Sequence, residues 1–194
     1  MRQINIFIAG STELKYERLM IRSAITLLHL PNDVKIEIKS CENLGNDQSG
    51  YDEYIRNFSD IVIFIITNKI GAITEAEFLL AAHCYRKHMK PEILIFRETP
   101  PDKKSFELGM LEGLIKGALY DIEKKAGKYY TMYINDDDLG SKAAYDIENL
   151  ILNKILNKSD SNYRYYSDSE KLDIILERLM KHSNINEKMN DYIS

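Results

Sequence analysis

The chain has 194 residues, 44% of them hydrophobic, and a formal net charge of -4. Domains commonly run about 100–200 residues, so this length suits one domain with additions, and the concentrated apolar runs exclude a disordered chain. The acidic balance speaks against a nucleic-acid interface, no window approaches the roughly 20 apolar residues of a membrane span, and Met1-Arg2-Gln3 leads straight into a strand-like run where a signal peptide would stand, so a cytoplasmic protein with no nucleic-acid or membrane partner is expected.

Ile4 to Ala9 is a short apolar run that stops at Gly10-Ser11-Thr12. Leu14, Arg18, Ile21, Ile25 and Leu28 then recur at helical spacing until Pro31-Asn32-Asp33 breaks the pattern. Val34, Ile36 and Ile38 alternate with Lys35, Glu37 and Lys39, which predicts a half-buried strand near a sheet edge. Cys41 to Gly50, with Gly45, Asn46, Asp47 and Gly50, reads as a mobile loop, and Tyr51 to Phe58 as a short helix. Ile61 to Ile66 is the most continuous apolar run and predicts a central strand buried on both faces. A helix from Thr74 to His88 and a strand from Ile93 to Phe96 follow.

Beyond Pro100-Pro101 the pattern predicts a helix over Phe106 to Lys125, a last strand over Tyr129 to Ile134, a helix start at Asp136-Asp137-Asp138 and a helix over Ala143 to Leu156. Residues 1–158 thus form an α/β domain, and 159–194 a Tyr-rich linker and one amphipathic helix around Leu172, Ile175, Leu176 and Leu179. The alternation of strands and helices implies a mostly parallel sheet with helices on both faces. Such sheets bind ligands beyond the carboxyl ends of their strands, which directs attention to Gly10-Ser11-Thr12, the Cys41–Gly50 loop, Thr67-Asn68-Lys69 and Arg97-Glu98.

Two readings compete at Ile73-Thr74-Glu75-Ala76-Glu77-Phe78. Thr74 and Glu77 fit a capping box, in which each side chain bonds the other residue's backbone N–H. Alternatively, Glu77 stands one turn into the helix after the central strand, facing the ligand-binding rim. A carboxylate there steadies the oxocarbenium-like state through which an N-glycosidic bond breaks. At Gly10-Ser11-Thr12 the choice is between a simple N-cap and an anion-binding turn, and Arg18 either pairs with an acid or contacts phosphate. Cys41 and Cys84 lack metal-ligand spacing and read as reduced thiols, and no metal site or Cys–His or Ser–His–Asp arrangement is indicated.

Taken together, Ile6-Phe7-Ile8-Ala9-Gly10-Ser11-Thr12, Glu17-Arg18, Ser59-Asp60 before the buried strand, and Thr74-x-x-Glu77 followed by Ala81 resemble the TIR-like superfamily, near the nucleoside 2-deoxyribosyltransferases, over about residues 2–98. The resemblance implies a flavodoxin-like three-layer α/β fold with a mostly parallel five-stranded sheet plus C-terminal helices. In catalytic members the substrate is NAD, and nicotinamide is released by a glycohydrolase or ADP-ribosyl cyclase reaction without a further cofactor. The family's W-x-x-x-E motif falls on Ile73 to Glu77, which makes Glu77 the catalytic carboxylate; Ile73 stands in place of the Trp. In the deoxyribosyltransferases the corresponding Glu is a nucleophile in a G-T-x-x-E pattern, and here two residues separate Gly71 from Thr74. Substrate contacts are expected from Gly10, Ser11, Thr12, Asp47, Thr67, Asn68 and Thr74. The family's bacterial members imply antiphage defence, a homo-oligomer and a separately encoded sensor or effector. The alternatives are a nucleoside or nucleotide N-glycosidase or deoxyribosyltransferase, and a non-catalytic self-association module.

Overall fold

The computed structural model describes residues 1–44, 48–67, 70–99, 113 and 131–156. Asp47, Asn68, the expected helix over 106–125 and the expected linker and helix of 159–194 lie outside the described residues.

Five strands form one sheet: β1 (Arg2–Ala9), β2 (Val34–Ser40), β3 (Ile61–Ile66), β4 (Glu92–Glu98) and β5 (Thr131–Tyr133). Their order is β2-β1-β3-β4-β5 and every neighbouring pair is parallel, with Ile6 opposite Ile38, Phe7 opposite Val62 and Phe64 opposite Ile95. This is the flavodoxin-like order, whose switch point lies between β1 and β3. β3 is the middle strand and all six of its residues are buried, so the unbroken apolar run reflects helices on both sides. β2 is an edge strand, which accounts for its alternation of Ile with Lys and Glu.

The helices divide between the two faces. α1 (Lys15–Thr26) and α5 (Asp136–Leu150) pack on one side, where Ile4, Ile6, Ile8, Ile61, Ile63 and Ile65 meet Ile21, Ile25, Leu139 and Ile147. On the other side, α3 (Gln48–Asn57) and α4 (Ala72–His88) cover Phe7, Val62, Phe64 and Ile66 with Tyr51, Ile55, Phe78 and Ala81. Phe64 and Phe78 meet edge to face at 5.2 Å between ring centroids, an arrangement that ring quadrupoles favour. Fully burying each such side chain contributes roughly 1.5–3 kcal/mol.

Two expectations change. The Cys41–Gly50 segment contains a short helix, α2 (Cys41–Leu44), and the first turn of α3, which begins at Gln48. Asn43 organises this turn: its Oδ1 accepts from the Ser40 backbone N–H at 3.2 Å and from the Ser40 hydroxyl at 3.1 Å, and the Arg22 guanidinium also donates to it. Contacts from Arg22 and Ser40 therefore support Cys41–Leu44 as a helical turn. The acids after Ile134 and the periodic residues after Ala143 belong to one helix, capped by Asn135, whose Oδ1 accepts from the Asp138 N–H at 3.0 Å. One π-helical turn, Ile151–Ile155, extends it.

Asp60 closes the amino-terminal end of the sheet. Its carboxylate accepts from the Asn5 N–H at 2.8 Å and pairs with Lys90 at 2.7 Å. It holds β1, β3 and the entry to β4 together, at the sheet end opposite the switch-point crevice.

Candidate active site

A cavity of about 530 Å³ opens at the carboxyl ends of β1 and β3. Its walls come from three places: the end of β1 and the turn Gly10-Ser11-Thr12; Cys41 with Gln48 and Tyr51 of α3; and Gly71 to Thr74 with Glu77 of α4. β2 and β3 leave β1 on opposite sides, so the connections after β1 and after β3 part at this point and leave a crevice between them.

Glu77 is 4% exposed and lies on the cavity wall. The capping-box reading of Thr74 and Glu77 is corrected. α4 begins at Ala72, its N-cap is Gly71 in an extended conformation (φ -74°, ψ 154°), and no side chain caps it. Glu75 N–H bonds Gly71 C=O at 2.9 Å, so Thr74 is the third residue of the helix and not its N-cap. Among the described residues no hydrogen bond reaches the Glu77 carboxylate. Burial pushes its carboxyl up from 4.5 to about 7; the negative charge of Asp52 adds to the rise and the Arg18 guanidinium opposes it. Withdrawal from water disfavours the charged form, and the rise follows from that.

Arg18 is 2% exposed, and the carbonyl oxygens of the β1–α1 turn are among its partners. Its Nη1 donates to the carbonyls of Gly10 at 3.3 Å and Ser11 at 2.5 Å, and Nη2 to that of Thr12 at 3.5 Å. One guanidinium thus fixes the β1–α1 turn in shape while its charge reaches Glu77. The N-cap of α1 is Leu14, with no side-chain cap bond, so Ser11 and Thr12 are not caps; both line the cavity.

Of the expected site residues, Gly10, Ser11, Thr12, Thr74 and Glu77 come together around this cavity. Thr67 follows the last residue of β3 and is not among the lining residues. Sequence reasoning missed Gln48 and Asp52. They lie one turn apart on α3, Gln48 Nε2 donating to Asp52 Oδ1 at 2.9 Å, with Gln48 in the cavity wall. The spacing of Gln48, Tyr51, Asp52 and Ile55 on one helical face was the available signal. Tyr51 is held in place by its hydroxyl, which donates to Cys41 C=O at 3.5 Å, and by Phe7, 6.0 Å away between ring centroids. Ile73 is 61% exposed and stands in the cavity wall one turn before Glu77.

No group of three His, Cys, Asp or Glu side chains among the described residues is arranged to hold a metal ion, and no described helix is long and apolar enough to cross a membrane. In comparisons with known proteins, no family model and no curated sequence matches the chain.

Proposed function

We propose that this chain is a TIR-like enzyme that cleaves the bond between nicotinamide and ribose in NAD, with Glu77 as the catalytic carboxylate. The observation that carries the reading is the position of Glu77: buried, without a hydrogen-bond partner among the described residues, and in the wall of a cavity at the β1–β3 switch point.

The chemistry follows from the leaving group. The nicotinamide ring of NAD is a cation, so the C1′–N bond breaks with both electrons passing to the ring nitrogen, and neutral nicotinamide leaves without a proton. The positive charge moves to C1′ and the ring oxygen of the ribose. A carboxylate beside C1′ steadies that charge, and a buried site strengthens the attraction, because little water competes. Water then adds to C1′ and releases a proton, giving ADP-ribose; attack by another nucleophile of the same molecule would give a cyclic product. The Glu77 carboxyl must be ionised for this step. The Gly10-Ser11-Thr12 turn, held by Arg18, is suited to lie against the ribose and phosphate end.

The test is nicotinamide release from NAD by concentrated purified protein, with Glu77→Gln beside it. Release that depends on Glu77 supports the reading; no release by the wild type, or equal release by the variant, defeats it.

The nucleoside N-glycosidase reading is favoured by one specific fact: a carboxyl that titrates near 7 is also available to donate a proton. A neutral nucleobase leaves as an anion unless it is protonated, so that reaction needs an acid. The two chemistries therefore run in opposite directions with pH.

A further inference from the structure

Gln48 leaves one atom unsatisfied at the edge of the same cavity. Its Nε2 donates to Asp52 Oδ1 at 2.9 Å, while its Oε1 is buried and accepts no hydrogen bond among the described residues. A carboxylate only accepts, so Asp52 takes the NH₂ and leaves the carbonyl as the group still to be matched. A buried acceptor without a donor costs about 1–3 kcal/mol. Gln48 is itself a lining residue, on the wall that also carries Tyr51, and the charge of its partner Asp52 is felt at Glu77. Gln48, which carries the orphan oxygen, and the proposed reacting carboxylate of Glu77 thus line one cavity.

We propose that Gln48 is a specificity-determining residue of this site: its Oε1 accepts an N–H from the departing ring, and it selects a ring bearing a carboxamide over the same ring bearing a carboxylate. This rests on the reading of the cavity as a site for pyridinium dinucleotides. The carboxamide brings the missing donor. The carboxylate brings no donor and adds a negative charge to a wall that already holds Glu77, close to Asp52, the partner of Gln48. A site built to hydrogen-bond a substrate N–H discriminates strongly against an analogue without it, because its own buried group is then left unpaired.

The test measures binding without turnover. Glu77→Gln protein is titrated calorimetrically with NAD and with its nicotinic acid counterpart, and the titrations are repeated with Gln48→Leu and with the unbranched Gln48→Met added. The expected result is NAD binding at least about tenfold tighter than the acid, equivalent to about 1.4 kcal/mol, with the ratio falling to within about twofold in either double variant. Gln48→Met keeps the reach of the side chain, so a loss of preference common to both variants reports the missing oxygen and not lost packing. Equal affinities, a preference that survives both substitutions, or no binding of either dinucleotide overturns the inference. The catalytic role of Glu77 is read separately from nicotinamide release by the unsubstituted protein, and it stands or falls on that measurement whatever the titrations give.

Discussion

The two helical layers of this protein bury the same sheet with different materials. Beneath α1 and α5 the contacts are made almost entirely by branched aliphatic side chains, with Ile on the strands and Ile, Leu and Ala on the helices. Beneath α3 and α4 the aromatic rings of Phe7, Tyr51, Phe64 and Phe78 join Ile55, Val62, Ile66 and Ile95, and Thr74 and Glu77 are buried on α4 as well. α4 changes character along its length: Thr74 and Glu77 face the cavity in its first half, and Phe78, Ala81 and Ala82 seal the sheet beyond them. One layer closes the core, and the other shares its surface between closing the core and walling a cavity. The difference teaches where substitutions can be expected to touch activity without touching stability, and the reverse.

The sharpest separation comes from Glu77→Gln. Nicotinamide release should fall by on the order of a thousandfold, the loss expected when a group that stabilises transition-state charge is removed. The folded protein should meanwhile be at least as stable at pH 8. Ile147→Ala, in the opposite layer, should cost about 3–4 kcal/mol in urea unfolding and leave the turnover of the folded fraction unchanged. If Ile147→Ala abolished turnover while the protein remained folded, the division between the layers would be wrong.

The pH dependence follows from the raised carboxyl of Glu77. From 4.5 up to about 7 the folded protein holds a proton that the unfolded chain has lost, so stability falls as pH rises through that window. The size is about 3 kcal/mol, one unit being worth about 1.4 kcal/mol, and Glu77→Gln should flatten this part of the curve of unfolding free energy against pH. Activity moves the other way. NAD cleavage needs the ionised form and should climb with pH to a plateau above about 7. Asp52→Asn should move that climb to lower pH, because the Asp52 charge raises the Glu77 carboxyl, and loss of the Arg18 charge should move it to higher pH. A rate that declines as pH rises through 7 would favour proton donation to a nucleobase.

The smallest expected effect lies at the far end of α4. Met89 ends the helix in a left-handed conformation (φ 56°), its N–H bonded to Tyr85 C=O at 2.7 Å, and its side chain is largely exposed. Glycine adopts this geometry without a steric penalty. Met89→Gly should raise stability by about 0.5–1 kcal/mol, visible as a higher Tm, with catalysis untouched.

Much of this arrangement was legible in the residues. The run Ile61–Ile66 marks the middle strand, and the alternating Lys and Glu of β2 mark an edge. The position of Glu77 after that middle strand points to the rim. What misled was local. Thr74-x-x-Glu77 has the spacing of a cap, but capping depends on where the helix begins, and Gly71 starts it earlier. Gln48 and Asp52 were hidden because the Gly and Asn before them signal a turn, whereas the residues from Gln48 on are helix, with Tyr51 and Ile55 packed into the core. The service of Arg18 to three consecutive carbonyls has no sequence signature, because backbone acceptors are the same at every residue.

The outer strand β2 has a bearing on how copies of this chain can meet. Its outward side chains are charged, Lys39 paired with Glu37 at 3.2 Å and Glu37 accepting from Gln3 at 2.8 Å. Hydrated charges along a free border discourage a neighbouring molecule from zipping its own backbone onto it. Continuous sheets running from one molecule to the next through this border are therefore disfavoured.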